Sequence, residues 1–149
     1  MKNLVVNKRA SYDYAFSDFY EAGLVLLGHE VKSIKTGHVS LKGSFVTLKD
    51  NELFLTNANI PPYVHSGSVR NYDPTHPRKL LLKKSQIKSL IGKVRASGLT
   101  LVPIRLYTKK RLIKLEFAVA RGKKEYDKRQ DIKKREAQRK VEKMLKISN

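Results

Sequence analysis

The chain has 149 residues, with 32 Lys and Arg against 13 Asp and Glu, a net charge of +19. Self-repulsion of that size calls for a polyanionic partner. There is no cysteine, which excludes disulfides, thiolate zinc sites and a cysteine nucleophile. The longest nearly apolar run, residues 22–28, is about a third of the roughly 20 residues a membrane span needs, and residues 1–7 are too short an apolar stretch for a secretory signal. We therefore expect a soluble, cytoplasmic protein.

In chain order, residues 4–6 read as an edge strand. Residues 11–22 read as a helix stopped by Gly23, and residues 24–27 as a short buried strand. Residues 30–36 form a second helix closed by Gly37. A hairpin follows, with strands 44–49 and 52–56 around Asp50-Asn51, a pair that tolerates the positive φ of tight turns. Residues 63–77, rich in Pro, Ser and His and without a period, are a loop. Residues 79–83 are another short buried strand. Ser85 is the expected cap of a helix with Ile87, Leu90, Ile91 and Val94 on one face, ended by Gly98. A last hairpin pairs 100–107 with 112–120 across the charged loop 108–111. In its second strand Ile113, Leu115, Phe117 and Val119 point one way and Lys114 and Glu116 the other. Six or seven short strands with two or three peripheral helices predict a mainly β fold, a small closed barrel that leaves few edges to protect.

Beyond residue 120 the composition changes. Residues 121–149 hold twelve of the 32 cations and five of the 13 acids, a net +7, which leaves +12 to residues 1–120. The division expected is a folded, polyanion-binding β-barrel domain over 1–121 and a basic tail over 122–149. Glu125/Arg129, Asp131/Arg135, Glu136/Lys140 and Glu142/Lys146 are acid-first i, i+4 pairs of a solvated helix, each worth about 0.2–0.5 kcal/mol. Its cations point almost all round, and only Tyr126, Ala137, Val141, Met144 and Leu145 share a side, with Ile132 facing away. A helix without a broad apolar face is marginal in water, so the tail is expected to be disordered or helical. The four histidines show no zinc spacing and no Asp or Glu partner pattern. No phosphate loop or nucleophile motif occurs, so we expect no enzyme, no metal and no cofactor.

Six segments resemble, in order and across almost the whole chain, the SmpB (SsrA-binding protein) family. They are Asn7-Lys8-Arg9-Ala10, Tyr20-Glu21-Ala22-Gly23, Gly28-x-Glu30-Val31-Lys32-Ser33, Ala58-Asn59-Ile60-x-Pro62-Tyr63, Arg78-Lys79-Leu80-Leu81-Leu82 and Gly122-Lys123-Lys124-x-Tyr126-Asp127-Lys128-Arg129. The resemblance implies an oligonucleotide-binding (OB-type) barrel that binds the tRNA-like domain of transfer-messenger RNA (tmRNA). It also implies delivery of that RNA to stalled 70S ribosomes for trans-translation by a monomer.

Asn7, Glu21 and Leu81 carry over as important, and Lys8, Arg9, Lys32, Arg78 and Lys79 as further RNA-binding positions. The tail residues Gly122, Lys123, Lys124, Tyr126, Asp127, Lys128, Arg129, Lys133, Lys134 and Arg135 would serve the decoding centre, with its 16S rRNA, and the empty mRNA channel. The chain departs from the family pattern at His76 (an expected arginine, for which Arg78 and Lys79 would compensate), Phe45, Gly43 and the glycine-free 109–111 loop.

Each position also has a plainer reading. Leu81 is core, Asn7 a turn cap and Gly122 a hinge. Tyr126 stacks on a base or packs. Glu21 either accepts hydrogen bonds from base edges or a ribose 2′-OH, or orients Lys32 or Arg9, or forms a helix-end ion pair. A ribosomal or generic structured-RNA binder without tmRNA specificity is the alternative function.

Overall fold

The computed structural model describes residues 2–67, 70–123 and 125–148, with side chains except at 97, 125–127 and 146–148. Seven strands and four α-helices follow one another along them: β1 (Lys2–Val6), α1 (Ala10–Asp13), β2 (Tyr14–Leu24), α2 (Gly28–Lys35), β3 (Phe45–Lys49), β4 (Glu52–Thr56), β5 (Arg78–Leu81), α3 (Lys84–Ser97), β6 (Thr100–Lys109), β7 (Leu112–Gly122) and α4 (Glu125–Ser148). All pairings are antiparallel, and β6, β3, β4, β5, β2 and β7 close into a ring through the β6–β7 hairpin. β1 lies along the C-terminal half of β6 as the edge strand expected from the sequence.

Inside the ring, Leu53, Leu55, Leu80, Leu106, Leu115, Phe117 and Val119 are almost wholly buried, with Ile34 of α2 and Leu90 of α3 packed onto them. Ile113, Leu115, Phe117 and Val119 do share the inner face. A smaller apolar cluster, Ala10, Val102 and Ala120 with Tyr14 and Phe16, fixes α1 on the outside.

Two turns show why the hairpins form where they do. Asp50 and Asn51 have φ of +51° and +60°, and Lys110 and Arg111 have +49° and +68°. Consecutive left-handed residues match the twist of the flanking strands. In the second hairpin the strands run on to Lys109 and from Leu112, so the turn is two residues, not the four of 108–111.

The largest correction concerns residues 11–22. Only Ala10–Asp13 is helical, and Tyr14 begins an eleven-residue strand paired with β7 from Tyr14↔Gly122 to Gly23↔Lys114. A bulge between Phe16 and Asp18 breaks the period of two, which hid the alternation. Tyr20 stacks on its cross-strand partner Phe117 at 5.7 Å, the pairing that aromatic-rich segments favour in sheets.

Residues 25–27 are not strand, and Val25 and Leu27 are half exposed. β5 alternates, with Arg78 and Leu80 inward and Lys79 and Leu81 outward, so it is not buried throughout. α3 starts one residue before Ser85, and its first turn is closed by Gln86 Oε1, which accepts from the Lys83 N–H at 3.2 Å. Gly98 ends it in the left-handed conformation, φ +60°.

Candidate nucleic-acid interface

The outer face of the β5–β2–β7–β6–β1 surface collects several of the expected positions. Register places Leu81, Gly23, Lys114, Tyr107 and Asn3 in one cross-strand row. The neighbouring row runs Glu21, Glu116, Arg105. Leu81 is 51% exposed, so the core reading fails for it; its side chain lies over Gly23, where a Cβ would stand 3.4 Å away. Lys79, two residues earlier on the same face, pairs with Glu52 at 3.1 Å.

Glu21 is the centre of this face. The buried Tyr107 hydroxyl donates to its carboxylate, and Lys109 Nζ lies 3.3 Å from Oε1. Neither Lys32 nor Arg9 is its partner, and the residue is in a strand rather than at a helix end. The hydrogen bond from Tyr107 outweighs desolvation and, with Lys109 and Lys114, holds the Glu21 carboxyl below its usual range. Burial first, and then the Glu21 carboxylate, push the Tyr107 phenol well up. The Arg105 guanidinium lies over the Tyr107 ring at 4.4 Å, reaches Glu116 at 3.3 Å and donates to Asn3 Oδ1 at 2.5 Å. Phe19, Tyr20, Glu21, Arg105, Tyr107 and Lys109 thereby bound an open cleft of about 330 Å³.

A second group sits where β1 ends and the tail begins. Asn7 Nδ2 donates to the Pro103 carbonyl at 2.9 Å, and the Asn7 carbonyl accepts from the Ala10 N–H at 3.2 Å. It holds the turn into α1 against β6, but its side chain caps no helix N–H, since Arg9 is the N-cap of α1 and no side chain caps it. Lys8 and Arg9 are exposed. Arg9 lies 4.6 Å from the Tyr12 ring centre and pairs with Asp13 at 3.4 Å. The cleft beside them, lined also by Lys42 and Phe45, holds about 390 Å³.

The tail is tied to the same place. The Lys123 N–H donates to the Asp13 carbonyl at 2.8 Å, Lys123 Nζ donates to the Ser11 carbonyl and pairs with Asp131, and Lys128 Nζ stands 3.5 Å from Asp13 Oδ1. The hydrogen bond from Lys123 holds the Asp131 carboxyl below its usual range, and the charges of Lys134 and Arg135 add to this. Beyond this first turn Lys133, Lys134 and Arg135 are exposed, as is every residue from Ile132 to Leu145. Gly122 closes β7 opposite Tyr14. Lys124 and the side chains of Tyr126 and Asp127 lie outside the described residues.

Arg78 belongs to a different structure. It is 1% exposed, and Glu30 is fully buried. Its Nε and Nη2 donate to Glu30 Oε2 at 2.9 and 2.6 Å, Nη1 to the Ala58 carbonyl at 2.7 Å and Nη2 to the Pro74 carbonyl at 2.8 Å. An enclosed guanidinium cannot meet a phosphate, so the expected RNA contact at Arg78 is corrected to a scaffold role, and Arg78 cannot compensate for His76. His76 itself lies 2.9 Å from the same Glu30 oxygen. The Tyr72 hydroxyl is 2.6 Å from the Ile60 carbonyl and 2.9 Å from Glu30.

Burial alone would raise the Glu30 carboxyl. The Leu27 N–H, Arg78 and Tyr72 outweigh it and hold Glu30 below its usual value. Tyr72 is pushed up to about 12 by burial and by Glu30. The network pins residues 72–76 to α2. Lys32, one turn away, is exposed with its Nζ 5.9 Å from the Tyr63 ring centre.

Tyr107, Arg105, Lys109 and Phe19 were not anticipated. The signal was present in Arg105, Tyr107 and Lys109, spaced by two along β6, which marks a single face of a strand. Among the described residues no group of three His, Asp or Glu could hold a metal ion, and no helix is long and apolar enough to cross a membrane.

The family model described as SmpB protein matches residues 4–147. The SsrA-binding protein of Chloroflexus aggregans is 50% identical over 140 residues, covering 94% of this chain and 89% of the relative. That of Thermosipho melanesiensis is 50% identical over 147 residues, 98% of this chain and 99% of its own. A solved structure described as "tmRNA-SmpB: a journey to the center of the bacterial ribosome" holds a chain 47% identical, with a TM-score of 0.66 over 81% of this chain and 85% of that one.

Proposed function

The chain belongs to the SmpB protein family, and on that premise we propose that it binds tmRNA and delivers it to stalled ribosomes in the cytoplasm, as a monomeric, non-enzymatic adaptor. The observation that carries the reading is the division of the molecule. A sheet face presents Glu21 and Leu81 among cations paired with carboxylates, and a solvated basic helix follows it. We read the closed ring as an OB-type barrel and residues 1–121 as the RNA-binding domain.

On this reading Glu21, Leu81, Lys79, Lys8, Arg9 and Lys32 meet the tRNA-like domain, with Asn7 positioning the Lys8-Arg9 turn. The tail 122–149 acts later, along the decoding centre and the empty mRNA channel, where its cations replace counterions of rRNA phosphates. Lys123 and Lys128 start it, and Lys133, Lys134 and Arg135 continue it.

The test is the affinity of the full chain for the tRNA-like domain, measured with alanine tRNA as competitor and across a salt titration. Binding that survives excess tRNA is expected, with a log–log salt slope of roughly 0.7–0.9 per neutralised phosphate. Equal competition by tRNA, with both RNAs lost steeply in salt, would make this a generic basic RNA binder instead.

A further inference from the structure

We propose that the cleft beside Glu21 is a pocket for one unpaired base and that its carboxylate selects guanine, an inference that rests on the outer face being the tmRNA-binding face. A carboxylate on an RNA-binding surface repels phosphate, so its position needs a reason. Here it is built in: Tyr107, 2% exposed, donates its hydroxyl to Glu21, and Lys109 holds the same carboxylate from the side. The Glu21 side chain is still about a third exposed, and each oxygen has lone pairs to spare. What the pocket offers is a fixed, ionised pair of acceptors, held from behind by Tyr107 and from the side by Lys109, with the Glu116 carboxylate also lining the cleft.

The chemistry of the bases then decides. Guanine carries two adjacent donors, N1–H and the N2 amino group, on its Watson–Crick edge. Adenine and cytosine put a ring-nitrogen acceptor beside their amino group, and uracil flanks its single N–H with two carbonyls. Only guanine meets a carboxylate with both oxygens satisfied. Phe19 adds the second element, because it lies two residues before Glu21 on the same face and bounds the same cleft. It is 58% exposed, with its ring braced edge-on against Phe16 at 5.9 Å. Exposed aromatic rings of this kind serve unpaired bases as stacking platforms. Arg105 and Lys109 stand at the rim for the flanking phosphates, and Tyr107 acts as a positioning residue for the carboxylate.

The test is direct binding of the full chain to the tRNA-like domain of tmRNA carrying inosine in place of one guanosine at a time, which removes only the N2 amino group. One such replacement should weaken binding by about tenfold, and the same replacement should cost nothing more in the Glu21→Gln variant. Tyr107→Phe, with an unchanged melting temperature, should lose affinity severalfold for the guanosine RNA and less for that inosine RNA, which offers the carboxylate only its N1–H. If Glu21→Gln weakens binding but no inosine does so in the unmodified chain, the guanine assignment is wrong while the face remains an RNA site. If Glu21→Gln and Phe19→Ala both bind as the unmodified chain does, the outer face is not the tmRNA site, and both readings fall together.

Discussion

The outer face of the sheet and the tail helix α4 are both basic, yet they hold their charges in opposite ways. On the face, Lys79, Arg105 and Lys109 each lie against a carboxylate, Glu52, Glu116 and Glu21 respectively. On α4, residues 132–145 are exposed to solvent throughout. Each acid on the face lowers the net attraction for RNA. In return it fixes a long side chain at one place, which reading a base or a fold requires. The tail keeps most of its cations in solvent and its net charge high, which suits a segment that must follow whatever phosphates line its path. On the proposed function, charge of one sign serves recognition in one region and adaptation in the other.

The largest effect that would break this comparison is removal of the tail. A chain ending at Arg121 should lose peptide tagging on stalled ribosomes entirely, while its affinity for the tRNA-like domain stays within roughly an order of magnitude. Loss of RNA binding along with tagging would mean that the two regions are not separable. Next comes Arg78→Ala, which strands the buried Glu30 carboxylate without its guanidinium. Breaking one partner of a buried pair costs about 3–5 kcal/mol, to be read by urea unfolding. Because Arg78 touches no solvent, the salt slope of RNA binding should not change, whereas loss of a phosphate contact lowers it by about 1.

The same network has a pH signature at both ends. Glu30 titrates below its unfolded value of about 4.5, so its contribution is complete above that pH and is lost as the pH falls through the lower folded value. Tyr72 titrates at about 12 against 10 when unfolded. Its contribution is complete below pH 10 and disappears as the pH rises toward 12. Urea midpoints measured across pH should therefore fall on both limbs. Glu30→Gln should flatten the acid limb and Tyr72→Phe the alkaline one.

Much of this molecule was legible in its sequence where pattern and local chemistry agree. The alternation of Ile113, Leu115, Phe117 and Val119 marked β7, and Asp50-Asn51 marked a turn. Residues 11–22 misled because a bulge near Ser17 interrupts the period of two. The flanking Ser11 and Gly23 also resemble the start and stop of a helix. Arg78 misled for another reason. A cation beside Lys79 in a basic chain looks like a phosphate ligand, and only the fold brings Glu30, 48 positions earlier, within 2.6 Å of it. The partnership of Tyr107 with Glu21 spans 86 positions and was equally out of reach of local pattern.

The smallest effect is the most informative about the tail's independence. Asp13 is shared by Arg9 at 3.4 Å and Lys128 at 3.5 Å, with its side chain about a third exposed. Exposed pairs of this kind contribute at most about 1 kcal/mol. Asp13→Asn removes the charge and leaves the backbone carbonyl that accepts from the Lys123 N–H. The melting temperature should therefore hardly move. Amide exchange should quicken severalfold over residues 128–131, where α4 meets α1, and stay the same beyond Ile132, where the helix already stands in solvent. Protection lost along the whole of α4 would show that the helix depends on its dock and that the contrast between a fixed face and a free tail is too sharp. Protection unchanged even at the first turn would leave the Lys123 strap as the whole attachment, and the tail would be freer than the Asp13 contacts suggest.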